Sequence, residues 1–408
     1  MAFAARNKVA IVGVGHSQVG RRLERPIGAL AIDASLAAIE DAGLTIADID
    51  GLATYPAGPG PGVGPVPGIS AAPLEWIVEA LGITELNWWG TGGGNISSAI
   101  GYAIQAIATG CCENALVWRA MYQPRGGLGS GSSGPPGAGA AQPAPRVSGG
   151  QAYSAPYGIG DAPTHFAPSY MRYMKLYGAK REHMAAYVLN ARKGANLNPD
   201  AIFYDRELSY DDYMNCRMIA DPLCLFDCDM PVDGAGAIVL TSADKARDLK
   251  QPPAYVTAFG SGGYSWHHRP PEEWQFDTAA NIGRTLWAST DMKPSDMDGA
   301  MFYEGFSPDI YWWLEGMQFC PLGTAWEWIQ DDRIAFGGEL PVNTFGGSCS
   351  AGRLHGITHW IEGVRQIQNR ADNRPGDKAR QIANCENVLV ATGMLGHGTG
   401  AILSKDPR

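Results

Sequence analysis

Side chains that could do chemistry fall in a few settings along this chain of 408 residues. A glycine run, Gly92-Gly93-Gly94, lies just ahead of a helical stretch. Unpaired backbone N–H groups at such a helix start can hold a developing negative charge. Tyr303 closes a strand-like segment, Met301-Phe302-Tyr303. A phenol of ordinary pKa, about 10, acts as a base at neutral pH only beside a cation or within a proton relay. Arg353 and His355 follow a second glycine pair, Gly346-Gly347, and His397 stands in the glycine-rich finish Gly393 to Gly400. Each also has an ordinary structural use. Tyr303 can be a core ring, a reading helped by Tyr55 at the matching place of an internal repeat; Arg353 can be half of an ion pair, and the histidines satisfied hydrogen-bonding groups.

Other settings carry less. Cys224 and Cys228 are four apart with Cys216 nearby, but no second spaced pair with His completes a zinc pattern, so no metal site is expected. Gly13-Val14-Gly15 lacks the third glycine of a dinucleotide fingerprint, and Arg21 to Pro26 stand where its helix would start. His267-His268, beside Arg269-Pro270-Pro271, reads as surface loop. With 31 basic and 41 acidic residues the net charge is -10 and no basic run stands out, so neither nucleic acid nor an anionic membrane is the expected partner. There is no charged segment followed by a long apolar one at the start, nor a run of about 20 apolar residues, so a soluble cytoplasmic protein with its eight cysteines as free thiols is expected.

The elements that must position these residues come in duplicate. Cys112-Glu113-Asn114-Ala115-Leu116-Val117 returns as Cys385-Glu386-Asn387-Val388-Leu389-Val390, each after a glycine-opened helical stretch. Upstream, Ala47-Asp48-Ile49-Asp50-Gly51 to Tyr55 is matched by Ser295-Asp296-Met297-Asp298-Gly299 to Tyr303. Two matches in the same order argue for one duplicated unit. Lys8 to Val14 reads as a first buried strand ended by Gly13 and Gly15, and Gly28 to Gly43 as an amphipathic helix with a glycine stop. The stretch from Ile96 to Thr109 is apolar or small nearly throughout, which places that helix inside the molecule. Between Gln123 and Pro168 glycine, serine, proline and alanine dominate and a mobile insertion is expected, a solvated loop, a lid or a subunit contact. Helical sequence resumes at Ser169. The aromatics Tyr303, Phe306, Tyr311, Trp312, Trp313 and Phe319 suit an apolar tunnel wall or, more ordinarily, core packing.

As an ordered set, the two βα halves with a buried helix each, Asp233-Gly234-Ala235 before a small-residue strand, Asn343-Thr344-Phe345-Gly346-Gly347 and the glycine-rich end resemble the thiolase superfamily. The nearest likeness is to its sterol-carrier-protein thiolase-like, or lipid-transfer-protein, branch. The resemblance implies an α/β fold of five layers, αβαβα, from two duplicated βαβ-rich halves plus an inserted loop region: residues 1–122 with 225–253, the insertion 123–224, and residues 254–408. It also implies a homodimer acting on an acyl-CoA thioester, with coenzyme A entering as part of the substrate and no bound cofactor.

Departures from the family pattern redirect the chemistry. The thiolase nucleophile position falls on Gly93, and where a degrading thiolase reads Gly-His-Pro this chain has Gly352-Arg353-Leu354. Tyr303-Glu304-Gly305-Phe306 stands where relatives often carry His-Asp-Cys-Phe, which resembles the steroid side-chain aldolases that work with an OB-fold, zinc-ribbon partner. The resemblance implies retro-aldol cleavage of a bulky β-hydroxyacyl-CoA. Tyr303 is expected to transfer the proton, with Arg353 or His355 in place of a second tyrosine that Asn343 to Gly356 lacks, and His397 nearby. Gly92, Gly93, Gly94, Gly346 and Gly347 are expected to bind substrate. The alternatives are a non-catalytic acyl-CoA or lipid-binding subunit, or a thiolase-like acyltransferase without the usual Cys.

Overall fold

The computed structural model of the chain describes residues 3–56, 72–92, 95–122, 153, 155–159, 162–263, 274–371, 379–393 and 396–408. The first half contains β1 (Val9–His16), α1 (Ile27–Ala42), β2 (Gly51–Thr54), α2 (Leu74–Leu81), β3 (Trp88–Thr91), α3 (Ile96–Ala108) and β4 (Asn114–Met121). After α4 (Ala162–Tyr177), α5 (Arg181–Asn196) and a small hairpin of β5 (Met218–Ala220) and β6 (Leu223–Cys224), the chain returns as β7 (Gly234–Ser242). The second half contains β8 (Ala254–Gly263), α6 (Trp274–Trp287), β9 (Gly299–Phe302), α7 (Asp309–Gly316), α8 (Ile357–Ile367), β10 (Asn387–Thr392) and β11 (His397–Ser404).

Nine strands form one sheet in the order β3-β2-β4-β7-β1-β8-β11-β10-β9. Read outward from its middle, each half repeats the other: β1-β7-β4-β2 answers β8-β11-β10-β9, with β2 parallel to β4 and β9 parallel to β10. The halves join through Ala10 opposite Tyr255 and Ile11 opposite Ala254. The nearly all-apolar α3 touches β2, β4 and β7 of its own half and β11 of the other, while α8 touches β9, β10 and β11 and also β1 and β7. Both therefore lie between the halves, in the central core with Ile100, Ile104, Trp360 and Ile361. Outside them, α1 covers β1, β4 and β7, and α6 with α7 covers β8 and β11, which completes five layers.

The duplicated motifs are two parts of one clamp. Asp50, just before β2, accepts hydrogen bonds from the backbone of Glu113 and Asn114 at the start of β4 (3.0 and 2.8 Å), and Asp298 does the same for Glu386 and Asn387 (both 2.8 Å). The asparagine side chains answer by donating to the carbonyls of Asp48 and Asp296. Such charge-assisted bonds set the register of each parallel pair.

Two expectations need correction. Gly13 and Gly15 do not end β1, which continues to His16; a Cβ at either would overlap the Ala38 or Ala34 carbonyl oxygen of α1, so these glycines let the helix lie directly on the strand. Helix α4 begins at Ala162, ahead of Ser169, and runs through Pro168, held by its buried Phe166, Tyr170 and Tyr173. Tyr311, Trp312 and Trp313 are core residues, packed with Tyr173 and Phe302, as the more ordinary reading of that aromatic cluster has it. Most of the glycine- and proline-rich segment 123–161, and His267 and His268, lie outside the described residues.

Candidate active site

Tyr303 leaves the carboxyl end of β9 and is fixed at its backbone: its N–H donates to Ala391 of β10 (2.8 Å) and its carbonyl accepts from Trp313 Nε1 (2.7 Å). Behind it, the fully buried Glu304 takes a hydrogen bond from Asn343 Nδ2 (3.2 Å) and one from the Cys349 N–H (3.3 Å), and stands 3.1 Å from His359 Nε2. Asn343 also brackets the Phe302 peptide, accepting from its N–H and donating to its carbonyl, both at 2.8 Å. The asparagine sits at φ +50°, a conformation its short polar side chain tolerates. The segment that opens the last core unit is thus stitched to the strand that carries Tyr303.

A second wall comes from the turn before β7. The Asp229 N–H donates to the Gly305 carbonyl (2.9 Å), and the Arg353 N–H to the Met230 carbonyl (2.8 Å). Asp229 Oδ1 then lies 3.5 Å from Arg353 Nη1 in a largely buried ion pair. Burial, reinforced by nearby Glu304 and opposed by Arg353, pushes the Asp229 carboxyl up to about 6. Asp309 accepts from the Gly305 and Phe306 N–H groups (2.9 and 3.2 Å), and burial lifts its carboxyl well above the usual range.

These neighbours decide the state of Tyr303. Burial first, then Asp229, Asp309 and Glu304, raise the phenol well above its ordinary value, and Arg353 opposes them without winning. Tyr303 therefore carries its proton at neutral pH. The expectation that a cation would ready it as a free base is corrected: Arg353 is already engaged by Asp229.

His355 comes from the loop before α8, at φ +50°, with its ring perpendicular to that of Tyr303 and 6.4 Å from it. Its Nδ1 is 3.0 Å from Arg119 Nη2. Because a guanidinium only donates, Nδ1 must accept, which assigns the imidazole as neutral with its hydrogen on Nε2. Burial, then Arg119 and Arg353, push it well below its ordinary value, so it stays neutral across the physiological range. Arg119 itself projects from β4, is 4% exposed, donates to the Ala120 carbonyl (2.6 Å) and lies 5.5 Å from the centre of the Tyr55 ring.

The structure brings Tyr303, Arg353 and His355 together and adds Asp229, Arg119, Glu304, Asn343 and His359 around them. His397 is exposed at the start of β11, opposite Gly263, and among the described residues makes no hydrogen bond or ring contact with that group. Gly92 commits its N–H to the Thr54 carbonyl (2.8 Å) and Gly346 commits its own to Asn343 (2.8 Å), so neither is a free donor for substrate. A Cβ at Gly346 would strike Ala195 and one at Gly347 would strike Glu304, so this pair allows close packing behind Tyr303. Gly93 and Gly94 lie outside the described residues. Near them, Asn95 caps α3 by accepting from Ser98 N–H (2.9 Å), and Ser97 bonds to Thr392 and Trp360, docking the helix start on the end of β10.

Five layers, a pseudo-repeated half and a site at the carboxyl ends of β9 and β10 define a thiolase-like protein. A family model described as thiolase C-terminal domain-like matches residues 260–405. The chain is 34% identical to a steroid side-chain-cleaving aldolase of Thermomonospora curvata over 97% of its length and 98% of the relative's. It is 33% identical to the 17-hydroxy-3-oxo-4-pregnene-20-carboxyl-CoA lyase of Mycobacterium tuberculosis, over 97% and 99% of the two chains. Among solved structures, the Ltp2-ChsH2(DUF35) aldolase superposes with a TM-score of 0.82 at 30% identity, covering 98% of each chain. The chain belongs to the thiolase superfamily, in the sterol-carrier-protein thiolase-like branch that holds these aldolases, and is a carbon–carbon lyase of that branch rather than a conventional thiolase.

Proposed function

We propose that this chain cleaves a bulky β-hydroxyacyl-CoA by a retro-aldol reaction, releasing a ketone and a shorter acyl-CoA, in the degradation of a steroid or comparable side chain. The observation that carries the reading is the partly buried assembly of a proton-bearing Tyr303 with the Asp229–Arg353 pair at the carboxyl end of β9. As the Cα–Cβ bond breaks, its electron pair moves into the thioester to form an enolate and the β-carbon becomes a carbonyl. The hydroxyl proton passes to Tyr303 while Tyr303 gives its own to Asp229, and its return to the α-carbon balances the reaction. No acyl group is transferred to the protein, and coenzyme A takes part only as the carrier within the substrate.

The lyase activities named for the two relatives and the solved aldolase support the substrate class. The name Ltp2-ChsH2(DUF35) joins a second component to the thiolase-like one, and this supports a partner, which we take to be the OB-fold, zinc-ribbon protein implied by the sequence. A homodimer is proposed from the sheet edge at β3, which among the described residues pairs only with β2 and carries Trp89, 62% exposed. Cytoplasmic action accords with a CoA ester as substrate and with eight unbridged cysteines. No helix among the described residues is long and apolar enough to cross a membrane.

The test is incubation of the purified chain, with and without such a partner, with the CoA ester of a bulky tertiary β-hydroxy acid. Ketone and shorter acyl-CoA are expected, and Tyr303→Phe is expected to lower turnover at least about 10²-fold while still binding a CoA ester. Unchanged turnover in that variant removes Tyr303 from the chemistry. Tight ester binding without product under either condition leaves an acyl-CoA-binding subunit.

A further inference from the structure

Arg119 is a buried cation that the chemistry above does not use. It is 4% exposed, yet among the described residues no carboxylate lies within ion-pair distance of it and its Nε has no partner. Its bonds go to neutral acceptors, the Ala120 carbonyl and His355 Nδ1. Four other arginines have the expected companions, Arg353 with Asp229, Arg365 with Asp200, Arg370 with Asp41 and Arg380 with Glu362, while Arg192, equally buried, rests its guanidinium on the rings of Phe203 and Phe226. Removing a guanidinium from water costs several kcal/mol unless an opposite charge answers it. Burial, with Arg353 adding to it and Tyr55 and Tyr303 opposing, draws Arg119 down to about 10. A fold that holds a positive charge in this condition is arranged for an anion that arrives later.

Its surroundings indicate which anion. Arg119 leaves β4 close to the carboxyl ends of the strands, its charge reaches both Tyr55 and Tyr303, and it holds His355 with the Nε2–H left as a donor. Tyr55 and Tyr303 are the two matched ends of the internal repeat, so the guanidinium lies between the halves. The retro-aldol step creates one new negative charge, on the thioester oxygen. A fixed cation and a neutral N–H donor, already stripped of water, stabilise such a charge without reorganising at the moment of reaction.

We propose that Arg119, together with the His355 Nε2–H that it orients, receives the negative charge developing on the thioester oxygen of the bound acyl-CoA. The proposal rests on the acyl-CoA reading above but not on cleavage itself, and the two are separable. S-Carboxymethyl-CoA carries an anionic carboxylate one bond further from the sulfur than the enolate oxygen would stand; S-ethyl-CoA carries no anion there. The wild-type chain is expected to bind the first about tenfold more tightly than the second by calorimetry. Arg119→Gln loses that preference while its affinity for S-ethyl-CoA stays within about twofold, and Arg119→Lys recovers part of it.

If Arg119→Gln does not fold, His355→Asn serves instead. Asparagine accepts the left-handed backbone at this position and can still receive the Arg119 N–H, but it lacks the longer Nε2–H. It too should lose the preference. Retention of the preference in a folded Arg119→Gln, or in His355→Asn where that is the variant studied, overturns the proposal, as does a wild-type chain with no preference. A wild-type chain that shows the preference but does not cleave the CoA ester of the bulky tertiary β-hydroxy acid sustains this anion site and sinks the lyase assignment for that ester.

Discussion

Asp229 and Tyr303 are both raised by burial, with opposite consequences. The phenol remains protonated at any ordinary pH, whereas the carboxyl, at about 6, changes charge inside the working range. Its folded value lies above the unfolded one, so its contribution to stability is full below about pH 4 and is lost as the pH rises through about 6. From 3.8 to about 6 the loss amounts to about 3 kcal/mol. Asp229→Asn cannot undergo it. The stability of this variant relative to wild type should therefore increase between pH 4.5 and pH 7.5 by up to that amount, as read by denaturant unfolding; a difference independent of pH would show that Asp229 is not perturbed as described. The same carboxylate, as proton acceptor, predicts a wild-type kcat that climbs with pH through about 6. In Asp229→Asn the profile should be flat and low over that interval.

How far the site could be read from the sequence depended on what each residue type declares alone. Tyr303, Arg353 and His355 were legible because they stand at strand ends and in glycine-rich turns, where side chains face a site. Arg119 was not, since one arginine in an apolar strand looks like an edge or a snorkelling residue until the opposite half supplies His355. The only signal was its place inside Asn114–Met121, every residue of which is buried. Asp229 was hidden among the acids of Asp227 to Asp233. The internal repeat, by contrast, was legible because both copies perform the same hydrogen bonding: Asp50 and Asp298 each need a Glu-Asn pair of N–H groups to accept from. Removing one clamp tests whether that pairing stabilises its half. Asp298→Ala should cost about 1–3 kcal/mol in urea unfolding, Asp50→Ala a similar amount, and the double variant their sum within about 0.5 kcal/mol because the clamps share no partner. Strong coupling between them would mean that the two parallel pairs are not independent.

The continuous sheet has two ends, and they are finished differently. At β9 the segment before Asn343 lies alongside: the Ala300 N–H donates to the Pro341 carbonyl, the Asn343 N–H donates to the Ala300 carbonyl, and Ala300 bridges Val342. At β3 the only paired neighbour among the described residues is β2, so one row of backbone groups faces outward with the 62% exposed Trp89 beside it. An open edge bearing a large apolar ring is a template for another strand unless it is charged, bulged or covered. A second copy related by a two-fold axis would set β3 antiparallel to its own image, extend the sheet through both molecules and bury both tryptophans. Trp89→Glu puts two like charges at the centre of that contact. The dimer dissociation constant should rise about 30-fold or more, read by light scattering across a dilution series, while the melting temperature of the separated chain changes little because Trp89 is 62% exposed in its own fold. A wild-type chain that is monomeric at micromolar concentration, or a Trp89→Glu variant that dimerises as tightly as wild type, would place the subunit contact elsewhere.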